Sequence, residues 1–178
     1  MTYKMRLYLD RIHQMDSNMC VAVNRTSQYR FIRDTFRIVS RLGDGMIWYA
    51  LMAAILILEG ADGYLPVMHM TVTGLSGTLL YKWLKGKTLR PRPYEVRQDI
   101  WLTGTPLDKF SFPSGHTLHA VVFSTVALSY YPELAIIVIP FTFMVGLSRV
   151  VLGLHYPSDV MAGAVIGALI AFASFLVI

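Results

Sequence analysis

Cysteine is almost missing from the 178-residue chain. Cys20 stands alone, which excludes an internal disulfide framework and a zinc site built on several thiolates. Charge is scarce as well. Asp, Glu, Lys and Arg make up 15% of the residues, against roughly 25% in soluble domains. That deficit, with 54% hydrophobic residues, argues against an ordinary soluble domain. Met1–Asp10 has no apolar core of the signal-peptide kind. Repeats and low-complexity segments are also lacking, and the length suits one domain. The net charge of +5 fits either nucleic acid or an anionic membrane surface. The long apolar runs select the membrane and leave nucleic acid without support.

Five uncharged stretches are present: Gly45–Leu58, Gly63–Tyr81, Phe110–Pro132, Leu134–Ser148 and Val160–Ile178. Crossing a bilayer takes about 20 helical residues at about 1.5 Å each. The second, third and fifth stretches meet that length, and the first and fourth are shorter. The expected fold is an all-α integral membrane bundle of about five transmembrane helices, with Pro140 kinking the fourth. Residues 1–42 form a separate, amphipathic helical segment. Met5, Leu9, Ile12, Met15 and Met19 recur at helical spacing among Arg6, Asp10, His13 and Ser17, and Asn24–Ser27 breaks the pattern. Ile32, Thr35, Phe36 and Val39 repeat it among Arg30, Arg33, Arg37 and Arg41. Two readings stay open for this segment, helices lying in the bilayer interface or an ordinary packed pair. Residues 43–178 are expected to form the transmembrane bundle. Gly163 and Gly167 have the spacing of closely packed membrane helices.

Three polar clusters interrupt the apolar pattern. Lys82, Lys85, Lys87, Arg90, Pro91, Arg92 and Pro93 follow the second stretch. Pro113, Ser114, Gly115 and His116 open the third. Ser148, Arg149, His155 and Asp159 join the fourth to the fifth. Five crossings put all three clusters on one side of the membrane. Their chemistry suits phosphoryl transfer, which works by positioning the group and stabilising charge on its oxygens. Arginine forks match phosphate oxygens, and lysine adds a point charge. Helix starts near Pro113 and Pro157 offer free N–H groups to an anion. Two histidines allow one to attack phosphorus while the other protonates the leaving oxygen, and Asp159 is placed to hold one ring nitrogen. Each cluster alone has a plainer reading: lysines beside a membrane helix usually read topology, and a single histidine is usually structural. His116 and His119 have a metal-ligand spacing, but no carboxylate or cysteine completes a site, so no metal is expected. His69, in mid-helix, is expected to bond between helices.

Lys85-x6-Arg92-Pro93, Pro113-Ser114-Gly115-His116 and Ser148-Arg149-x5-His155-x3-Asp159 together resemble the three-part signature of the type 2 phosphatidic acid phosphatases, in order and over residues 85–159. The resemblance implies a metal-independent, cofactor-free phosphatase acting on a membrane lipid phosphate or diphosphate, such as phosphatidic acid, phosphatidylglycerol phosphate, undecaprenyl diphosphate or the phosphate of a lipid A. It implies His155 as the nucleophile that forms a phosphohistidine, with Asp159 orienting it. His116 becomes the acid for the leaving group and the base for water, and Lys85, Arg92, Ser114, Gly115 and Arg149 bind the phosphate. Arg90, Lys82 and Lys87 are left for a second phosphate or lipid headgroups. Transfer to a second lipid instead of water, vanadate-dependent halide oxidation and a non-catalytic binding role are the alternatives. The expected location is a bacterial cytoplasmic membrane. All 16 lysines and arginines fall on the site's side, eight of them before residue 43. The charge rule puts that side in the cytoplasm, whereas the resemblance favours the periplasm. No oligomeric state is assigned. Tyr94, Trp101, Phe110 and Phe112 either line an entrance or anchor the interface.

Overall fold

The 25 residues of helix α4 (Tyr64–Thr88) are long enough, at about 1.5 Å each, to cross the roughly 30 Å of hydrocarbon. In the computed structural model, which describes residues 3–177 and the side chains of 11–177, it is one of five helices that take up the five apolar stretches. The others are α3 (Ile47–Glu59), α6 (Gly115–Tyr130), α7 (Ala135–Val151) and α8 (Pro157–Ser174). They are preceded by α1 (Tyr3–Asn24) and α2 (Arg30–Arg41), and α5 (Pro93–Val96) is a single turn between α4 and α6. No strand occurs among the described residues. By length and hydropathy, three segments among the described residues qualify as membrane spans: 30–96, which contains α3 and α4, then 132–151 and 157–174. Large apolar side chains such as Ile57, Leu79, Ile136, Phe143, Met161 and Phe172 stand exposed on these helices. Such surfaces are stable against lipid and not against water. The protein is an all-α integral membrane bundle.

Helix α6 is the central post, packed by α4, α7 and α8. Its contact with α8 runs through glycine. A Cβ on Gly163 would stand 2.5 Å from the Ser114 carbonyl oxygen, and one on Gly167 2.6 Å from that of Leu118. The spacing of small residues therefore serves backbone-to-backbone approach inside the bundle. His69 bonds between helices, through Nδ1 to the Tyr130 hydroxyl (2.9 Å) and through Nε2 to Ser174 Oγ (2.7 Å).

Two boundaries differ from the sequence expectation, and both bear on the site. α4 does not end at Tyr81 but continues through Lys82, Lys85 and Lys87 to Leu89, whose left-handed backbone (φ 49°) closes it with an N–H bond to Lys85 O. Cations on a last helical turn are favoured by the helix dipole. α6 begins at Gly115 rather than Phe110, with Ser114 as its N-cap. Residues 110–113 are apolar in composition, but their backbone is engaged by Lys85 and Thr88 at Phe110 O and Phe112 O and by the Ser111 N–H at Arg90 O. Pro140 lies inside α7, which runs on through it.

α1 and α2 pack across α7 and α8. Their inward residues include Asp16, Ser17, Asn24 and Ser40, whereas Ile12, Met15, Met19, Phe31 and Ile38 face outward. Met5, Arg6, Leu9 and Asp10 of the same pattern lie outside the described side chains.

Candidate active site

The turn that follows α7 sets the geometry. Gly153 takes a positive φ of 75°, and a Cβ there would meet Trp101 O at 2.6 Å. The chain folds back so that the N–H groups of Leu154 and His155 both bond Arg149 O (2.9 and 3.1 Å). This returns His155 beside Arg149, although five residues separate them. The last turn of α4 and the first turn of α6 meet the same space.

That space is a cavity of about 570 Å³, lined by Lys85 and Arg92, by Gly115 and His116, and by Arg149 and His155. All three sequence clusters contribute. Arg92, Arg149 and His155 are each only 1% exposed and Lys85 6%, so three cations are held away from water. Burying charge without compensation is costly. Here Asp108 supplies part of the compensation. Its carboxylate accepts from Lys85 Nζ through both oxygens (2.7 Å each) and from Arg92 Nη2 (2.7 Å). Arg92 also donates to Asp108 O and, from Nη1, to Leu154 O (2.7 Å), and Nη1 stands 3.5 Å from His155 Nε2. Arg149 donates to Ser40 Oγ, while its Nε has no partner among the described residues. A cation cluster with unused donors around a cavity is a seat for a multivalent oxyanion.

Asp159 lies behind His155. Its Oδ2 accepts from the Ser111 hydroxyl and from the Tyr156 N–H (2.9 Å), and it stands 3.7 Å from His155 Nδ1, which has no hydrogen bond. Burial pushes the His155 imidazole down to about 3, outweighing the Asp159 carboxylate, so the ring is neutral near pH 7. A neutral imidazole is the form with a lone pair to give.

Of the remaining sequence candidates, Lys82 lines the cavity and Ser114 does not. Ser114 is fully buried, with its hydroxyl on Thr117 and its N–H on Asp159 O (3.0 Å), so it joins α6 to α8. Lys87 is exposed and outside the cavity lining; Arg90, half-buried, is outside it too. Arg90, expected at a second phosphate or headgroup, has its donors engaged within the protein. Nη1 donates to Asp159 Oδ1 (2.5 Å) and Ser158 Oγ (2.8 Å), Nη2 to Asp16 Oδ2 (2.7 Å), and the guanidinium lies over the Tyr156 ring. The start of α8 is likewise engaged: the Ser158 N–H bonds Asp16 Oδ1 (2.9 Å) and the Tyr156 N–H bonds Asp159. Of the two helix starts expected to attract an anion, only that of α6 opens to the cavity. His119 also lines the cavity, but both its nitrogens bond other groups, Nδ1 to Gly115 O and Nε2 to Thr78 and Gly74 O. Phe110 alone of the four singled-out aromatics lines it.

Sequence reasoning missed Asp108, Asp44, Asp16 and Ser40. The signal for Asp108 was arithmetic: buried cations need nearby carboxylates, and Asp108 lies between the first two clusters. Nothing local marks Asp16, which reaches the site from 142 residues away.

The family model of the PAP2 superfamily matches residues 66–178, more than half of the chain. The chain belongs to the PAP2 superfamily. Relatives and solved structures agree. The undecaprenyl-diphosphatase BcrC of Bacillus subtilis is 28% identical over 131 residues, covering 73% of this chain and 67% of its own length. The crystal structure of LpxE from Aquifex aeolicus matches with a TM-score of 0.78 at 27% identity, over 89% of this chain and 93% of that one. That of a transmembrane PAP2-type phosphatidylglycerolphosphate phosphatase from B. subtilis matches with a TM-score of 0.72 at 26% identity, over 94% and 86%. This PAP2 protein is accordingly a hydrolase, a lipid phosphatase of the membrane. The family model begins at Pro66, so α1, α2 and α3, with Asp16, Ser40 and Asp44, lie before it.

Proposed function

We propose that this PAP2 enzyme hydrolyses a lipid phosphate or diphosphate of a bacterial cytoplasmic membrane through a covalent phosphohistidine. His155 Nε2 attacks phosphorus, the bond from phosphorus to the lipid or diphosphate oxygen breaks, and His116 gives that oxygen its proton. Water then attacks the phosphorus, His116 takes its proton, and the P–N bond breaks to release inorganic phosphate. Lys85, Arg92, Arg149 and the start of α6 at Gly115 bind the equatorial oxygens and supply the charge stabilisation that metals give other phosphatases. The single observation that carries this reading is the one cavity lined by His155, His116 and three buried cations. The names of the relatives point to polyprenyl diphosphates and phosphatidylglycerol phosphate as first substrates to try. The outward apolar residues of α1 and α2 support an interfacial position for that segment.

Phosphate release by purified protein from a panel of lipid mono- and diphosphates, in chelator, tests the reading beside His155→Ala. Release in wild type, loss in the variant and trapping of acid-labile labelled phosphate on the protein are expected. Release that persists in His155→Ala, or that requires added metal, overturns it. Cys20 is fully buried, so orientation is best read from a cysteine placed at Arg30. Labelling of intact cells by an impermeant reagent puts the site outside, and protection puts it in the cytoplasm.

A further inference from the structure

The cavity holds a second histidine–carboxylate pair, and its carboxylate comes from outside the family's matched segment. His116 Nε2 meets Asp44 Oδ1. Asp44 lies in the wide turn Leu42–Met46 that joins α2 to α3, and it lines the cavity beside His116. Two features of that turn fix the carboxylate. Gly45 takes a φ of 131°, a conformation that side chains rarely adopt, which lets the chain swing from α2 into α3. Gly43 is buried and packs so closely on Val145 that a Cβ would stand 2.9 Å from its methyl group. The turn is thereby pinned to α7, the helix that carries Arg149. Asp44 also has no Lys or Arg ion-pair partner among the described residues, so His116 is the group it faces.

We infer that Asp44 is a positioning residue for His116, holding its imidazole at the leaving-group side of the cavity and stabilising the imidazolium from which the proton is given. The inference rests on the proposed phosphohistidine mechanism for its catalytic consequence, but not for the pairing itself. It makes the site a double dyad: Asp159 stands behind the nucleophile, and Asp44 steadies the acid. The groups around His116 comprise Asp44 from the α2–α3 turn, Arg149 from α7 and His119 from its own helix, with Lys82 and Lys85 of α4, Arg92, Asp108, Lys109 and His155 sharing the cavity. Asp108 is taken up by Lys85 and Arg92, so Asp44 is the carboxylate that meets the imidazole directly. The leaving oxygen, once it carries negative charge, replaces Asp44 as the partner of the transferred proton. In the second step the carboxylate favours return of a proton from water to the same ring.

Asp44→Asn tests this, since the amide keeps the shape and removes the charge, and the side chain is 36% exposed, so little packing is lost. Two readouts are needed. The His116 imidazole resonance, titrated by NMR in detergent without substrate, is expected to move about one pH unit lower in Asp44→Asn. Turnover is expected to fall about tenfold at neutral pH with KM nearly unchanged, with the alkaline limb of the pH profile moved lower by the same amount. Asp44→Glu, which retains the charge, should restore part of both, and it replaces the asparagine variant as the comparison if that variant fails to fold. An unmoved His116 titration, or unchanged turnover and pH profile in Asp44→Asn, overturns the inference. Absence of phosphate release by the wild type with a normal His116 shift in Asp44→Asn would instead strike the proposed mechanism and leave the pairing intact.

Discussion

Arg90 Nη1 stands 2.5 Å from Asp159 Oδ1, and the other arm of the same guanidinium stands 2.7 Å from Asp16 Oδ2. One arginine thus ties α1, the loop after α4 and the start of α8 together behind His155. Asp159, 0% exposed, has Arg90 as its cationic partner. Among the described residues no other Lys or Arg pairs with it.

Arg90→Ala should therefore act through Asp159 and not through substrate affinity. Removing one partner of a buried ion pair leaves the other charge uncompensated, at a cost of roughly 3–5 kcal/mol. We expect a lower midpoint of thermal unfolding in detergent and a lower kcat with KM little changed. A variant with normal stability and a raised KM only for diphosphate substrates would restore the headgroup role for Arg90.

Asp108 occupies the donors proposed for the substrate phosphate, since Lys85 and Arg92 both point at its carboxylate. Burial pushes the Asp108 carboxyl up, but Lys85 and Arg92, with His155, together hold the group below its ordinary value, so it is charged at neutral pH. Asp108→Asn should bind inorganic phosphate more tightly, because a like charge at the seat is gone. At about 1 kcal/mol for one such contact in water, inhibition by phosphate should tighten roughly fivefold. Weaker inhibition would mean that Asp108 serves mainly to hold the two cations in place.

Gly163 meets the backbone at Ser114, not a flexible side chain, so nothing cheap yields when a methyl group is added. Gly163→Ala should separate the starts of α6 and α8 and break the Ser114 N–H bond to Asp159 O. Overpacking of this kind costs roughly 1–3 kcal/mol. Thermal unfolding and phosphate release should both fall. A fully active, fully stable alanine variant would show that the helices can slide apart without harm.

His155 bears on stability through pH. Its imidazole is pushed by burial from an ordinary 6.5 to about 3 in the folded chain. The unfolded chain then binds the proton more readily, so stability is full above about pH 6.5 and is lost as pH falls towards 3. His155→Gln should flatten that part of the profile, as read from unfolding midpoints between pH 7 and pH 4. An equal slope in both proteins would show that His155 is charged in the fold.

The class of the protein and most of the residues that line the candidate site were legible in the sequence because both rest on local signals. Uncharged runs near 20 residues mark membrane helices whatever surrounds them, and Lys85, Arg92, His116, Arg149 and His155 are costly residues to place in such a chain without a purpose. Counting crossings was enough to bring their clusters to one side. The carboxylates were not legible. Asp16, Asp44 and Asp108 look in one dimension like ordinary polar residues at helix faces, helix ends and loops. Their roles depend on which buried cation or imidazole each one meets, and those meetings span up to 74 residues.

Arg90 marks the same boundary from the other side. By composition it belongs with the phosphate binders, two residues from Arg92, yet Arg92 lines the cavity and Arg90 faces Asp16 and Asp159. Sequence by itself determined that this chain is an apolar helical bundle with basic and histidine clusters gathered on one side. Tertiary structure alone decided which cations line the cavity and which carboxylates each one meets. The physical reason is that a buried charge is tolerable only beside its counter-charge, and only packing brings the two together.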